Sequence, residues 1–323
     1  LATCRRHAVS NKQNEPIVLT SGPLELAICP SLGGSIARFE FIEAGRSTPI
    51  LRGGDGTPAS VLGSASFPLV PFVNRIAGGR FTFRGREIAL IPNMAGDPSP
   101  LHGQGWLSPW SIVSTGTDHA QLLFEHAAGE WPWSYAARQE FSLDAGALEI
   151  RLTCQNRSPD PMPCGLGQHP YFHCTDKTRL RTEVANVWTI DEDILPVERI
   201  AAAGRFDISD GPVCGRDLDH GFDGWRGTAV ISDPALPFEV HLSSPDARFF
   251  QLYSPMHGGI FVAEPVTHAN AALNAREEQW GELGMRILAP EAEMALAMRI
   301  EIRRVEAPRS AGQNLGTKQS KFR

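Results

Sequence analysis

"ALEIRLTCQN", Ala147 to Asn156, alternates without a break. Leu148, Ile150, Leu152 and Cys154 fall on one side, Glu149, Arg151, Thr153 and Gln155 on the other. A period of two is that of a strand with one face on a core and one in water. "EMALAMRIEI", Glu293 to Ile302, repeats the pattern with Met294, Leu296, Met298, Ile300 and Ile302. Working outward, "FSLDAGALEI" holds a turn at Asp144-Ala145-Gly146, and "GRFTFRGREIALI" reads as two strands around Arg84-Gly85. "FEVHLSS", "RFFQLYS" and "GGIFVAEP" add short strands. The 31 Gly and 25 Pro are spread throughout, the punctuation of many strands and turns. "NAALNAREEQWGEL" is the best helical candidate. These features predict an all-β chain, a large antiparallel β-sandwich over 16–306. A flexible segment, 1–15, precedes it and a polar, disordered tail, 307–323, follows it. A β-propeller would need repeats of blade length, which are missing.

The 323 residues are 42% hydrophobic, ordinary for a globular protein, with a net charge of −6. That charge argues against general nucleic-acid affinity. The densest basic run, "RIEIRRVE", alternates with apolar residues and reads as the solvent face of a strand. No run approaches the length of a membrane span, and "LATCRRHAVSNKQNEP" lacks the apolar centre of a signal peptide. The six cysteines form no C-x-x-C pair. They read as reduced thiols of a cytoplasmic protein.

"GLGQHPYFHC", Gly165 to Cys174, asks for a chemical reason. On a helix His169 and His173 would share a face, but Pro170, Tyr171 and Phe172 favour a strand. Four residues along a strand separate them by roughly 13 Å, so one metal cannot bridge them. No other ligand spacing is present, and no metal is expected. His173 reads as a satisfied core histidine. His169 is either another core residue or, held extended by Pro170 beside Gly165 and Gly167, an imidazole facing a cleft. There it would move a proton near neutral pH.

Three further stretches bear on that choice. "PFVNRIAGGRF" puts Asn74 and Arg75 before a glycine pair, where the guanidinium either binds hydroxyl oxygens or closes a turn. "PLHGQGWLSPW" puts His102 in a Gly-rich loop with Trp106 after it, a residue suited to stacking on a sugar or to core packing. "FVAEPVTHANAALN" sets Glu264 beside an apolar run, where desolvation would raise its pKa and suit it to act as a base.

In order along the chain, "NRIAGGRF", "LHGQGW", "QHPYF" and "LDHGFDGW" resemble the motifs of the aldose 1-epimerase (galactose mutarotase) family. The resemblance implies a β-supersandwich with a sugar site in a cleft on its face. It also implies interconversion of the α and β anomers of an aldose, without cofactor or metal. His169 corresponds to the general acid, His102 and Arg75 to sugar-binding residues with Asn74 beside them, and Asp219 to an acceptor for a sugar hydroxyl. Many members carry their catalytic glutamate in a late P-G-E. Here "LAPEAEMA" places Ala292 at that position, between Glu291 and Glu293. The hexose-6-phosphate epimerase branch has a glutamate at the "VAEP" position. Glu264 is therefore the expected base and Glu291 the alternative. A hexose-6-phosphate 1-epimerase would need converging arginines, for which Arg75, Arg80 and Arg248 are available. A carbohydrate-binding protein without catalysis is the remaining reading. The only partner expected is a small-molecule sugar, bound by a monomer or homodimer.

Overall fold

The computed structural model describes residues 15–53 and 56–305. In it the alternating stretches are the strands of two large sheets. The expected N-terminal segment (Glu15 aside) and the polar tail lie outside the described residues. One sheet has nine strands, with Glu293–Arg304 and Ala147–Asn156 paired antiparallel at its middle. The other has eight, in which Leu218–Asp223, Phe249–Ser254 and Ile260–Val266 run side by side. A four-stranded sheet, Ile17–Pro49, lies outside both. The turns at Asp144-Ala145-Gly146 and Arg84-Gly85 join paired strands, as their sequences predict.

Alternation decides what each face does. Leu148, Ile150, Leu152, Leu296, Met298 and Ile300 are fully buried, and one cluster joins them to Phe222, Phe250, Leu252, Phe261 and Ala263 of the eight-stranded sheet. Each such side chain contributes about 1.5–3 kcal/mol on burial. The next residues along those strands point the other way. Phe249, Gln251, Tyr253, Val262, Glu264 and Val266 therefore lie on the outer face of the eight-stranded sheet. A second cluster covers that face, built from Phe67, Leu69, Val73, Leu101, Trp106 and Tyr171. Three of the motif stretches feed this cover, and the polar residues between its apolar ones form the site.

The helical candidate at 270–283 is not a helix. It forms two three-residue 3-10 turns, Ala272–Asn274 and Glu277–Gln279. Among the described residues no helix is longer. Ala271 enters with φ +54°, and the Asn274 amide is spent on the backbone of Ala77 and Arg80. These long-range bonds outweigh a weak helical propensity.

Candidate active site

Strand register brings the polar residues into line. Gln251 is opposite Gly221 on one side and Glu264 on the other. A methyl group at Gly221 would lie 3.1 Å from Gln251 Oε1, so the glycine leaves room for the amide. Gln251 Nε2 donates to Asp219 Oδ1 (2.8 Å), and its Oε1 accepts from Asn74 Nδ2 (3.4 Å). The strand-borne acids and the Asn74–Arg75 arm thus meet through one buried amide.

His169 sits between the short strands Gly167–Gln168 and Tyr171–His173. Its amide donates to Phe67 O, and that of Tyr171 to Ala65 O, which fixes the extended course through Pro170. A methyl group at Gly165 would strike the His268 ring at 2.0 Å; at Gly167 it would meet Leu69, Val73 and Val266 at 2.9 Å. The glycines let the cover close onto the sheet. The His169 ring lies on Phe67 (4.4 Å, 20°), which lies on Trp106 (5.4 Å, 28°). His169 Nε2 then comes to 3.4 Å from Glu264 Oε1. Nδ1 of His169 and Oε2 of Glu264 are buried with no hydrogen-bond partner. Among buried polar atoms that is an exception with a cost, and two of the six such side-chain atoms among the described residues fall in this one pair.

His102 and Asn74 hold each other. Both have positive φ, +58° and +53°. Asn74 N–H donates to His102 Nδ1 (3.1 Å), and His102 N–H donates to Asn74 O (3.0 Å). Accepting at Nδ1 leaves the hydrogen on Nε2, so neutral His102 is a donor there. Backbone strain of this kind persists only where the surroundings over-determine it.

The charges follow from burial. Desolvation pushes Glu264 well above the usual carboxylate range; Asp219 adds to this and Arg75 opposes it. Desolvation also pushes His169 down, to about 3, with Arg52 adding a smaller push. Burial thus favours carboxylic acid and neutral imidazole over the charged pair. The resemblance casts His169 as the general acid, and burial works against a standing imidazolium there. Burial likewise raises Asp219, against the pull of Arg75. The Arg75 guanidinium is paired with Asp97 (2.9 Å).

Three sequence expectations change. Trp106 is 1% exposed, its Nε1 donating to Leu101 O, so it supports Phe67 and offers no face to a sugar. Glu291 cannot serve as the alternative base. It sits at φ +62° with its carboxylate 64% exposed and paired with Arg157. His173 is exposed, because the short strand turns it outward while Phe172 faces the core.

Sequence reasoning missed Gln251, Asp97, Arg52, Tyr171, His268 and Asn270. Gln251 left a signal, as a lone amide between Phe250 and Leu252. Arg52 left none. Its guanidinium donates to Leu62 O and Ser64 O and lies 3.5 Å from the centre of the Tyr171 ring. His268, Asn270 and Asn274 are rungs under the arm: their side chains accept the N–H groups of Val73, Arg75 and Ala77. Asn270 also donates to Ile194 O (2.8 Å), tying the arm to the 191–195 turn. Asn270→Ala is expected to raise KM roughly five- to tenfold, the worth of about 1 kcal/mol. Asn270→Asp, which keeps the acceptor for Arg75, should recover most of that. Initial rates over substrate concentration check this, and equal KM for wild type and Asn270→Ala would refute the rung.

A profile of the aldose 1-epimerase family matches residues 16–300. The uncharacterised protein YphB of Escherichia coli K12 is 33% identical over 262 residues, 78% of this chain and 87% of that one. A crystal structure from Escherichia coli K12 has a TM-score of 0.82 at 30% identity, covering 90% of this chain and 99% of the other. A galactose mutarotase-like protein from Clostridium acetobutylicum shares the fold, with TM-score 0.79 at 18% identity over 90% and 95% of the two chains.

Proposed function

Since the chain belongs to the aldose 1-epimerase family, we propose that it interconverts the α and β anomers of a neutral aldose at the His169–Glu264 pair. The observation that carries this reading is the 3.4 Å approach of the two groups, each keeping a buried polar atom unpartnered. Anomerisation asks for that combination: one group takes the C1 hydroxyl proton while another delivers a proton to the ring oxygen.

The pair holds one proton. A sugar hydroxyl donating to Glu264 Oε2, with Arg75 nearby, lowers the cost of a carboxylate there. The Glu264 proton then passes to His169 Nε2. The carboxylate removes the proton from O1, His169 protonates O5, the C1–O5 bond breaks and the aldehyde forms. Rotation about C1–C2 presents the other face, and closure runs the transfers backwards. Each positioned group contributes roughly 10²–10⁴-fold. His102 Nε2–H, Asn74 and Arg75 hold the open chain so that rotation does not become release, and Asp219 accepts a hydroxyl.

A neutral sugar is favoured over a phosphosugar because the candidate arginines do not gather. Arg75 is matched by Asp97, Arg80 by Glu87 on the surface, and Arg248 lines a separate groove with Trp225 and Glu282. A panel of freshly dissolved aldoses and hexose 6-phosphates, followed by polarimetry, tests this. Faster turnover of the phosphosugars would reverse the choice. EDTA should leave the rate unchanged, since the acid–base groups need no metal; loss restored by a divalent ion would contradict the mechanism.

A further inference from the structure

The chain contains two thiol–thiol contacts, and they differ in one respect. Cys154 and Cys164 touch in the core, both fully buried. Cys174 and Cys214 touch at the surface, where Cys174 is 8% exposed and Cys214 is half-buried. Gly259 organises the second pair from its backbone. Its carbonyl accepts from the Cys174 N–H (3.0 Å), and its N–H donates to Cys214 Sγ (3.3 Å). Cys214 sulfur therefore accepts a hydrogen bond from Gly259 and is the more open of the two sulfurs. Its partner is already in contact.

We propose that Cys174 and Cys214 form an oxidation site, which a hydroperoxide converts to an intramolecular disulfide. Cys214 gives up its proton to solvent, and its sulfur attacks one peroxide oxygen. The O–O bond breaks, the distal oxygen leaves as hydroxide or alkoxide, and Cys214 becomes a sulfenic acid. The leaving base takes the Cys174 proton. The Cys174 thiolate then attacks Cys214 sulfur, the S–O bond breaks, and the departing hydroxide takes from solvent the proton that Cys214 released and becomes water. Two thiols lose two electrons in all, and the peroxide takes them.

The position gives the site its interest. Cys174 lies five residues after His169, and Cys214 five residues before Asp219. The new bond would join the segments leading from the proton-transfer pair and into the carboxylate that accepts a sugar hydroxyl. The core pair has the same contact without access, so it serves as an internal control.

The test uses the full chain treated with hydrogen peroxide, alkylated under denaturing conditions and mapped by mass spectrometry. The expected product is a Cys174–Cys214 peptide lighter by two hydrogen atoms and restored by dithiothreitol, with Cys29, Cys154 and Cys164 still alkylated. In Cys174→Ser, Cys214 should be trapped as a sulfenic acid by dimedone. In Cys214→Ser, Cys174 should remain a thiol. Three results would overturn the proposal: a Cys154–Cys164 link forming first, a link from Cys4 to Cys214, or no disulfide at peroxide levels that oxidise Cys214.

Discussion

Glu264→Gln should lower turnover by roughly two or more orders of magnitude while sugar affinity stays near that of wild type. Glutamine keeps the shape and one acceptor oxygen but cannot take a proton. The control is Glu291→Gln, in an exposed carboxylate paired only with Arg157 and Gln155, which should leave turnover unchanged. Stability should move the opposite way. The folded-state pKa of Glu264 is raised by burial. Its full contribution is therefore present below the unfolded carboxylate range and is lost as pH climbs toward the folded value. Above that range the wild type carries the cost of a carboxyl that resists ionisation, and glutamine does not. The melting temperature of Glu264→Gln should thus gain on wild type as pH rises from about 4 toward neutrality and beyond. Differential scanning calorimetry across that window checks the sign; a melting-temperature difference, variant minus wild type, that stays constant with pH would mean that Glu264 ionises in the folded state as it does in the unfolded one.

His169→Ala should cost a similar factor, roughly 10²–10⁴ in kcat, since it removes the second proton carrier. The ring lies on Phe67, so some stability is lost with it. His169→Gln separates the effects by retaining bulk against Phe67 without a titrating nitrogen. Both variants should be inactive, and only the alanine should melt appreciably earlier. Near-wild-type turnover in either would remove His169 from the mechanism. Below about pH 6.5 the unfolded histidine is protonated while the folded one, held down to about 3, is not. This residue therefore withdraws stability as pH falls through that interval.

The sandwich was legible because period two survives in single strands. Ala147–Asn156 and Glu293–Arg304 reveal their buried faces in the spacing of Leu, Ile and Met alone. The candidate site was legible, as a cluster, where chemistry is local. Asn74, Arg75, His102, His169, Asp219 and Glu264 all come from quoted motifs, and all line the outer face of one sheet or its cover. What escaped the sequence depends on partners far along the chain. Trp106 reads as a sugar platform until Phe67, 39 positions earlier, is seen between it and His169. Gln251 acquires its role only when Asn74 and Asp219 reach it from either side. His173 failed for a nearer reason: its strand has only three residues, too few for alternation to reveal which face is inward.

The central claim is that His169 and Glu264 transfer protons to and from a sugar's anomeric centre, and polarimetry tests it most directly. Freshly dissolved α-glucose and α-galactose are followed with buffer, wild type, Glu264→Gln and His169→Gln at equal concentrations. The account predicts, for at least one of the two sugars, a decay constant that rises in proportion to wild-type protein and returns to the buffer value with either variant. Wild-type decay no faster than buffer for both sugars, with sugar binding intact by calorimetry, would contradict it and leave a binding protein on the same scaffold.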